Sequence, residues 1–372
     1  MAADIRKTIV ISAINFTEGG PLTVLTDLLE QANITLGKNW HIIALVNNKN
    51  LFQASRISYL QFPLAKKSWI IRIYYEWIGF WFLSNKLDVD LWLSFHDITP
   101  NVKAKRQSVY CHNGSPFFKA SWNQVYLEPK FWLFTKLYDN VYRLNINNNY
   151  HVIIQQEWIY NEFKRRYGVD RLLLAHPDAH KMTINKQPLT SVNIKRKKVL
   201  FFYPAIPRVI KNFEVICEAF QNISLEGVDN IELILTFNGS ESRYASRIYN
   251  KYKKCNLIKF IGQQDLKTIG KIYKKTDCLI FSSLLETWGL PITEAKANKI
   301  PLMVADLPYA RETVGNYHAV RFFNPNDPAE LTTLINDFIS SKIVFDKVRR
   351  KHSFIKPIQG WDSLLKVVTK GL

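Results

Sequence analysis

Short apolar runs rich in β-branched residues alternate along the chain with longer segments of helical periodicity, and this alternation restricts the possible folds more than any other feature. A strand, a helix and a further strand in succession form a parallel βαβ unit. The pattern therefore predicts an α/β fold built on parallel sheets. In the first half of the chain the predicted strands are 9–13, 41–46, 91–95, 109–111, 152–154 and 172–175, and the predicted helices are 21–36, 68–86, 128–145 and 157–167.

A polar, aperiodic stretch over 177–197 interrupts the alternation and is typical of a linker between domains. Beyond it the same pattern starts again, which predicts a second doubly wound domain. The predicted strands of the second half are 199–203, 231–237, 258–261, 278–282 and 302–305, and the predicted helices are 212–222, 242–252, 265–275 and 291–298.

The chain length agrees with two domains, because 372 residues exceed twice the about 150 residues of a typical domain. We expect an N-terminal domain over 1–180 and a second domain over 195–350. Ligands of open α/β sheets bind beyond the carboxyl ends of the strands. Two such domains in tandem therefore predict a site in a cleft that both sheets face.

The basic character of the chain limits its partners. The formal net charge is +19, which suits nucleic acid, an anionic membrane surface or a phosphate-bearing ligand. The excess of Lys and Arg is spread over both halves rather than gathered in a tail, and the sequence contains no nucleic-acid recognition motif. We therefore expect no nucleic acid partner.

Cysteine usage and apolar runs indicate a cytoplasmic protein. The N-terminal residues show no signal-peptide pattern. The longest apolar stretch, 69–83, is interrupted by Arg72 and Glu76 and falls short of the about 20 residues that a spanning helix needs. Four cysteines lie far apart without metal-binding spacing, as reduced core thiols do: Cys111, Cys217, Cys255 and Cys278.

One segment of the second domain carries most of the chemical information, Glu286-Thr-Trp-Gly-Leu-Pro-Ile-Thr-Glu294. It follows a buried strand, and a helix should open near Pro291, a residue favoured in the first turn. The free backbone N–H groups of Gly289 and Leu290 would then face the site and could donate to a diphosphate or to sugar oxygens. Glu294 is predicted in the first turn of this helix.

This segment resembles the E-x7-E element of the GT-B nucleotide-sugar glycosyltransferases, specifically the retaining family four, in the form Glu-x-Phe-Gly-Leu-Pro-x-x-Glu-Ala with Trp288 as the aromatic residue. The resemblance implies that Glu286 and the backbone after it hold hydroxyls of the donor sugar. It also implies that Glu294 accepts hydrogen bonds from the ribose hydroxyls of the nucleotide.

A basic loop after the first strand of the second domain contains Arg208 and Lys211. A diphosphate leaving group gains negative charge as the glycosidic bond breaks, so fixed cations beside it stabilise the transition state. The family resembled has an arginine and a lysine here, although its arginine lies about five residues before the lysine and Arg208 lies three before. The alternative is a solvated basic loop.

Three further positions match the family more loosely. Gly19 and Gly20 join the first strand to the first helix and resemble a glycine loop beside the diphosphate and acceptor. His112 follows a strand and resembles a histidine that contacts the 6-position of the donor sugar, although a lone histidine also suits a structural role. Gly262 resembles a glycine turn whose backbone meets the nucleobase. His96 and Asp97 are weaker candidates on the acceptor side.

Asp88 and Asp90 have the spacing of a metal-binding DxD motif, but the apolar run follows them instead of leading into them. We interpret them as the start of a strand and expect no catalytic metal and no cofactor, since the nucleotide sugar is a co-substrate.

The segment 66–86 combines aromatic residues with flanking lysines and allows two interpretations. It could be a helix lying in a membrane interface, or a buried helix that covers the sheet and contains an Arg72–Glu76 pair. Near the C-terminus, 351–372 contains a last amphipathic helix. By resemblance to GT-B proteins, this helix crosses back to pack on the first domain.

The sequence thus predicts a GT-B, metal-independent retaining glycosyltransferase that moves a sugar from a UDP- or GDP-sugar to a hydroxyl of a lipid-linked or surface glycan. We expect it in the cytoplasm, with attachment at the inner face of the membrane as an option. Two alternatives remain open: another GT-B nucleotide-sugar enzyme such as a 2-epimerase, and a non-catalytic nucleotide-sugar-binding module.

Overall fold

Two parallel sheets organise the chain in the computed structural model, which describes residues 6–177, 198–348 and 355–372. The two sheets belong to separate units. Within the described residues, the first unit comprises 6–117, 135–177 and 355–372, and the second comprises 118–134 and 198–348. The predicted linker 177–197 lies outside the described residues except for Pro177.

The first unit contains an eight-stranded sheet in the order β14-β7-β6-β5-β4-β1-β2-β3, and its neighbouring strands are parallel. The strands are β1 (Lys7–Ala13), β2 (Trp40–Val46), β3 (Ile57–Gln61), β4 (Val89–Ser94), β5 (Ala104–Cys111), β6 (His151–Ile154), β7 (Leu172–His176) and β14 (Ile358–Gln359). Its helices are α1 (Gly19–Thr35), α2 (Trp69–Tyr74), α3 (Phe80–Leu87), α6 (Glu157–Tyr167) and α13 (Gly360–Thr369). Two further helices lie between β5 and β6 in the chain, α4 (Trp122–Leu127) and α5 (Pro129–Arg143). Helix α4 and the start of α5 belong to the second unit.

The last helix packs on the first sheet, as expected of a helix that crosses back. Trp361 of α13 is buried against Phe95, with ring centroids 5.7 Å apart. Asp362 accepts a hydrogen bond of 2.8 Å from the Thr35 hydroxyl at the end of α1. Because α13 adds apolar side chains to the core of the first unit, the C-terminal segment is part of that domain.

The second unit contains a six-stranded parallel sheet in the order β10-β9-β8-β11-β12-β13. The strands are β8 (Val199–Tyr203), β9 (Ile231–Leu235), β10 (Ile258–Phe260), β11 (Cys278–Phe281), β12 (Leu302–Ala305) and β13 (Val320–Phe323). The helices are α7 (Phe213–Leu225), α8 (Arg243–Tyr252), α9 (Leu266–Lys275), α10 (Leu290–Ala297), α11 (Pro308–Val314) and α12 (Pro328–Ile339). The predicted α/β class with two parallel-sheet domains is confirmed.

The helix predicted over 68–86 is confirmed as one run of helical residues over 69–87, but it contains an irregular turn. A π-helical turn, Tyr75–Gly79, separates α2 from α3. The Glu76 carbonyl accepts a 2.9 Å hydrogen bond from the backbone N–H of Asn101, which draws it out of the regular helical ladder. The local sequence does not indicate this turn, because its hydrogen bond comes from Asn101, 25 residues farther along the chain.

The four cysteines have free thiols, with Cys255 partly buried and the other three buried. No helix in the described part of the chain is long and apolar enough to cross a bilayer.

Candidate functional site

Lys211 and Glu286 come together at the carboxyl ends of two neighbouring strands of the second sheet. Strands β8 and β11 are paired in parallel, so the loops that follow them leave the sheet at the same edge. The Lys211 Nζ and the Glu286 carboxylate form an ion pair there. Their side chains are only 18% and 16% exposed. The pair is therefore partly shielded from water, which strengthens its electrostatic interaction.

The backbone around Lys211 is fixed by hydroxyl groups. The Ser282 hydroxyl donates to the carbonyls of Lys211 and Asn212, both at 2.9 Å, and the Tyr203 hydroxyl donates to the Lys211 carbonyl at 2.9 Å. Asn212 adopts a left-handed conformation with φ of 50°, which lets α7 begin at the next residue. These bonds hold the cation in place before any ligand binds.

Arg208 lies in the same loop but is directed to other partners. Its Nε donates to Glu128 at 2.9 Å, and its guanidinium lies 4.7 Å from the centroid of the Phe131 ring. Glu128 also accepts a 3.1 Å bond from the backbone N–H of Val209. One carboxylate thus fixes both the side chain and the turn that leads to Lys211.

Gly289 directly precedes α10 and has a left-handed backbone conformation that its lack of a side chain permits. Its φ is 83°, and an added Cβ would lie 3.3 Å from Ile292 Cδ1. The helix starts at Leu290, one residue before the predicted start, so the prediction that Glu294 lies in the first turn was wrong. Glu294 is the fifth helical residue.

Glu294 is held by a tyrosine that the sequence did not reveal. The Tyr273 hydroxyl on α9 donates to its carboxylate at 2.7 Å. Burial raises the pKa of Glu294 above its ordinary value, and the bond from Tyr273 partly offsets this rise. The carboxylate is therefore oriented and only partly solvated, which suits an acceptor for ligand hydroxyls.

Gly262 follows β10 with a φ of 72°, and an added Cβ would lie 3.4 Å from the Asn238 amide nitrogen. The positive φ favours glycine at this turn.

In the first unit, His112 lies just after β5 and is held through Asp97. Asp97 Oδ1 accepts from the backbone N–H groups of His112 at 2.7 Å and Asn113 at 3.0 Å. The Tyr142 hydroxyl donates to the same oxygen at 2.9 Å. Burial lowers the pKa of His112, while the Asp97 charge opposes that shift. Asp97 is therefore a support of the His112 loop.

His96 is fully buried and paired. Its Nδ1 donates to the Ser12 carbonyl at 2.7 Å, its Nε2 is bonded to the Glu76 carboxylate, and its own carbonyl accepts a 3.0 Å bond from Arg72. With no exposed surface, His96 has a structural role in this structure.

Gly19 and Gly20 are the first two residues of α1, and Gly19 has a φ of 68°. The loop before them meets the His112 loop, because the Phe16 ring packs edge-on against the His112 ring at 5.1 Å. The structure thus brings two sequence-predicted loops of the first unit together.

Asp88 directly precedes β4 and Asp90 is its second residue, which agrees with their interpretation as the start of a strand. Asp90 accepts from the Thr8 backbone N–H at 2.7 Å and pairs with Lys105 at 2.7 Å, within the sheet. Across the described ranges, no group of three or more His, Cys, Asp or Glu side chains is placed to hold a metal ion.

Part of the chain is similar to known glycosyltransferases. Residues 184–356 match the family model described as glycosyl transferases group 1. The GtfA subunit of a UDP-N-acetylglucosamine–peptide N-acetylglucosaminyltransferase from Streptococcus agalactiae is 25% identical over 128 residues, which are 32% of this chain and 25% of that protein. The serotype-specific mannosyltransferase WbdA of Escherichia coli is 31% identical over 70 residues, 19% of this chain and 8% of that protein. The matches span a quarter or less of these relatives' length.

Solved structures share the fold over most of the chain. The lipopolysaccharide outer core galactosyltransferase WaaB in its apo form gives a TM-score of 0.65 at 12% identity and covers 98% of this chain and 100% of that one. Anabaena HepE in complex with UDP and glucose gives a TM-score of 0.57 at 14% identity, with 90% of each chain covered. At these identities the likeness establishes the GT-B fold. The segment that matches the glycosyl transferases group 1 model, residues 184–356, contains Lys211, Glu286 and Glu294.

Proposed function

We propose that the protein is a retaining GT-B glycosyltransferase of family four that moves a sugar from a UDP- or GDP-sugar to a hydroxyl of a lipid-linked or surface glycan. The observation that carries the proposal is the Lys211–Glu286 pair at the carboxyl edge of the second sheet, in a segment matched by the glycosyl transferases group 1 family. The UDP and glucose bound by HepE, which has the same fold, support a nucleotide-sugar donor.

In this mechanism the first domain binds the acceptor and the second binds the donor. As the bond between the anomeric carbon and the diphosphate oxygen breaks, Lys211 and Arg208 stabilise the charge on the leaving group. The acceptor oxygen bonds to the same carbon, and its proton passes to a diphosphate oxygen. No carboxylate is assigned as a covalent nucleophile.

The other positions orient the donor. Glu286 and the N–H groups of Gly289 and Leu290 hold sugar hydroxyls, and Glu294 accepts from the ribose. Gly262 lets the backbone meet the base. We place Gly19 and Gly20 beside the diphosphate, and His112 at the donor sugar.

No metal or cofactor enters this proposal. An acceptor carried on lipid would bring the enzyme from the cytoplasm to the inner face of a membrane.

A nucleotide-release assay over a panel of UDP- and GDP-sugars, with glycan acceptors, tests the function. Lys211→Ala and Glu294→Ala should each lower turnover of the preferred donor by about a hundredfold or more. Lys251→Ala is a matched control, because Lys251 also pairs with a glutamate of the second unit, Glu218, at 2.9 Å.

The alternatives give different results in the same assay. A 2-epimerase would consume donor without acceptor, and a binding module would bind donor but release no nucleotide. Loss of turnover on adding EDTA would contradict the metal-free mechanism. Wild-type turnover in both the Lys211 and Glu294 variants would contradict the site.

A further inference from the structure

The segment from α2 through the π-helical turn to α3 has its polarity inverted relative to a helix on a water-exposed surface. Such a helix normally buries apolar residues and exposes charged ones. Here Arg72 is 6% exposed, and Glu76 is fully buried. The outer face, which we define by six residues, is instead apolar and 38–80% exposed: Ile70, Ile73, Tyr74, Ile78, Trp81 and Phe82.

The inner charges have a definite reason to be buried. Arg72 donates to the His96 carbonyl at 3.0 Å, and the Glu76 carboxylate is bonded to His96 Nε2. Arg72 and Glu76 are also 3.8 Å apart. Because these bonds turn the charged side of the helix inward, the apolar side must face outward. The exposed apolar surface is thus a consequence of a specific internal network.

The outer face is continuous along the helix axis. Each of its residues has another member of the face three or four positions away in the chain, which keeps them on one side across the π-helical turn. The buried residues Arg72, Glu76, Phe80 and Ser84 recur every four residues on the other side. One stripe of large apolar side chains therefore faces solvent over the length of the segment, and such a stripe marks an interaction surface.

The charges at the ends of the outer face are positive. Lys66 and Lys67 precede α2, Lys86 lies in the last turn of α3, and the burial pattern leaves all three exposed. Between residues 62 and 87 the one acidic side chain is Glu76, which is buried. Lys66 also pairs with Glu18 at 2.8 Å. An apolar stripe with aromatic residues and with lysines at both ends fits the interface of a bilayer that contains anionic lipid.

We propose that the outer face docks the protein on an anionic lipid bilayer, with the segment lying in the plane of the interface. Trp81, Phe82 and Ile70 would enter the boundary between headgroups and acyl chains, and the lysines would contact lipid phosphates. The proposal rests on the proposed function in one respect: the bilayer that contacts the outer face is taken to be the one that carries the lipid-linked acceptor.

The test is co-sedimentation of the full chain with vesicles of phosphatidylcholine alone or mixed with phosphatidylglycerol. The wild type should bind the mixed vesicles, and binding should weaken as salt increases. The double variant Ile70→Ser/Phe82→Ser should lose about tenfold or more in partitioning, since its apolar contact is reduced. The matched control is Ile34→Ser/Leu225→Ser, at apolar residues 70% and 81% exposed elsewhere, which should bind like the wild type.

Several results would overturn the proposal. The wild type could stay in the supernatant with mixed vesicles. The Ile70/Phe82 variant could bind these vesicles as strongly as the wild type, or the control variant could lose as much binding as the Ile70/Phe82 variant. If the outer face instead joins two copies of the protein, the wild type should sediment as a dimer and should not bind vesicles. The Ile70/Phe82 variant should then sediment as a monomer. Melting curves should confirm that both double variants fold.

The outcome is separable from that of the proposed function. Binding of UDP- or GDP-sugar measured without vesicles should be unchanged in the Ile70/Phe82 variant, within about twofold. If the wild type binds vesicles but no nucleotide sugar, the proposed function fails and the docking surface remains.

Discussion

Lys211 and Glu286 lie 75 residues apart in the chain, yet their side chains form an ion pair at the edge of the second sheet. In the proposed function Lys211 binds the donor diphosphate and Glu286 binds the sugar. A diphosphate that reaches Lys211 would therefore compete with Glu286 for the same ammonium group.

This competition predicts opposite effects of one substitution on two measurements. In Glu286→Gln the amide keeps the size of the side chain but removes the competing charge, so the affinity for UDP or GDP alone should rise about fivefold, corresponding to about 1 kcal/mol. Turnover of the nucleotide sugar should fall by about a hundredfold. Calorimetric titration with the nucleotide and a nucleotide-release assay check the two parts. Parallel losses in both would show that Glu286 does not compete for Lys211.

The contacts of Arg208 predict that its structural and chemical roles can be separated. Glu128→Ala leaves the Val209 N–H without its acceptor and should lower the free energy of unfolding by about 1–3 kcal/mol, whereas Glu128→Gln keeps an oxygen acceptor and should recover most of it. Arg208→Ala should lower turnover by about a hundredfold, and Glu128→Gln by less than about threefold.

Denaturant unfolding and turnover of the same three variants provide the measurements. If Arg208→Ala and Glu128→Ala are equally destabilised and both retain wild-type turnover, Arg208 serves only to fix the loop through Glu128.

The raised pKa of Glu294 predicts that this residue costs stability at neutral pH. A carboxyl whose pKa is higher in the folded state favours folding at low pH, and this contribution is lost as pH rises through the folded pKa. Glu294→Gln should therefore melt at the same temperature as the wild type or higher at pH 8, and its advantage should shrink as the pH falls toward the ordinary carboxyl range. Donor affinity should decrease in the same variant.

Tyr273→Phe provides the complementary change. Removing the hydroxyl takes away the bond that lowers the pKa of Glu294, so donor binding should become weaker on mild acidification than in the wild type. A pH series of melting temperatures and donor affinities checks both variants. A Glu294→Gln protein that is less stable than the wild type at pH 8 would contradict the assignment of a strained, buried charge.

The central strands could be predicted from the sequence because each is a buried apolar run bounded by polar residues. Strand β8 was predicted at its observed bounds, and β11 and β12 to within one residue. The edge strands β3, β13 and β14 were missed, whereas the edge strand β10 was predicted as 258–261. In β3 only Ile57 is buried, so it lacks the apolar run of a central strand. By contrast, the sequence contains a signal for the start of α12, because Asp327 caps the helix N-terminus and Pro328 follows it directly.

The sequence indicates the candidate loops of the site but not the side chains that support them. Gly289, Leu290 and Glu286 lie in one loop whose pattern indicates ligand contact. Glu128 could not be linked to Arg208, because 80 residues separate them and only the tertiary fold joins them. Tyr273 has the spacing of a core residue on α9, and nothing local indicates that its hydroxyl reaches a carboxylate.

Asp97 offers a last prediction, since it supports His112 from an unusual backbone conformation. Its φ is 74°, which asparagine and aspartate tolerate better than alanine, and its Oδ1 accepts two backbone N–H bonds. Asp97→Ala should therefore lower the free energy of unfolding by about 2–4 kcal/mol, whereas Asp97→Asn keeps the oxygen acceptor and should lose about 1 kcal/mol or less. If His112 contacts the donor sugar, Asp97→Asn should keep near wild-type KM and kcat, and His112→Ala should lower kcat without a comparable loss of stability. Denaturant unfolding and steady-state kinetics measure these effects, and equal destabilisation by Asn and Ala would show that the Oδ1 bonds do not fix the loop.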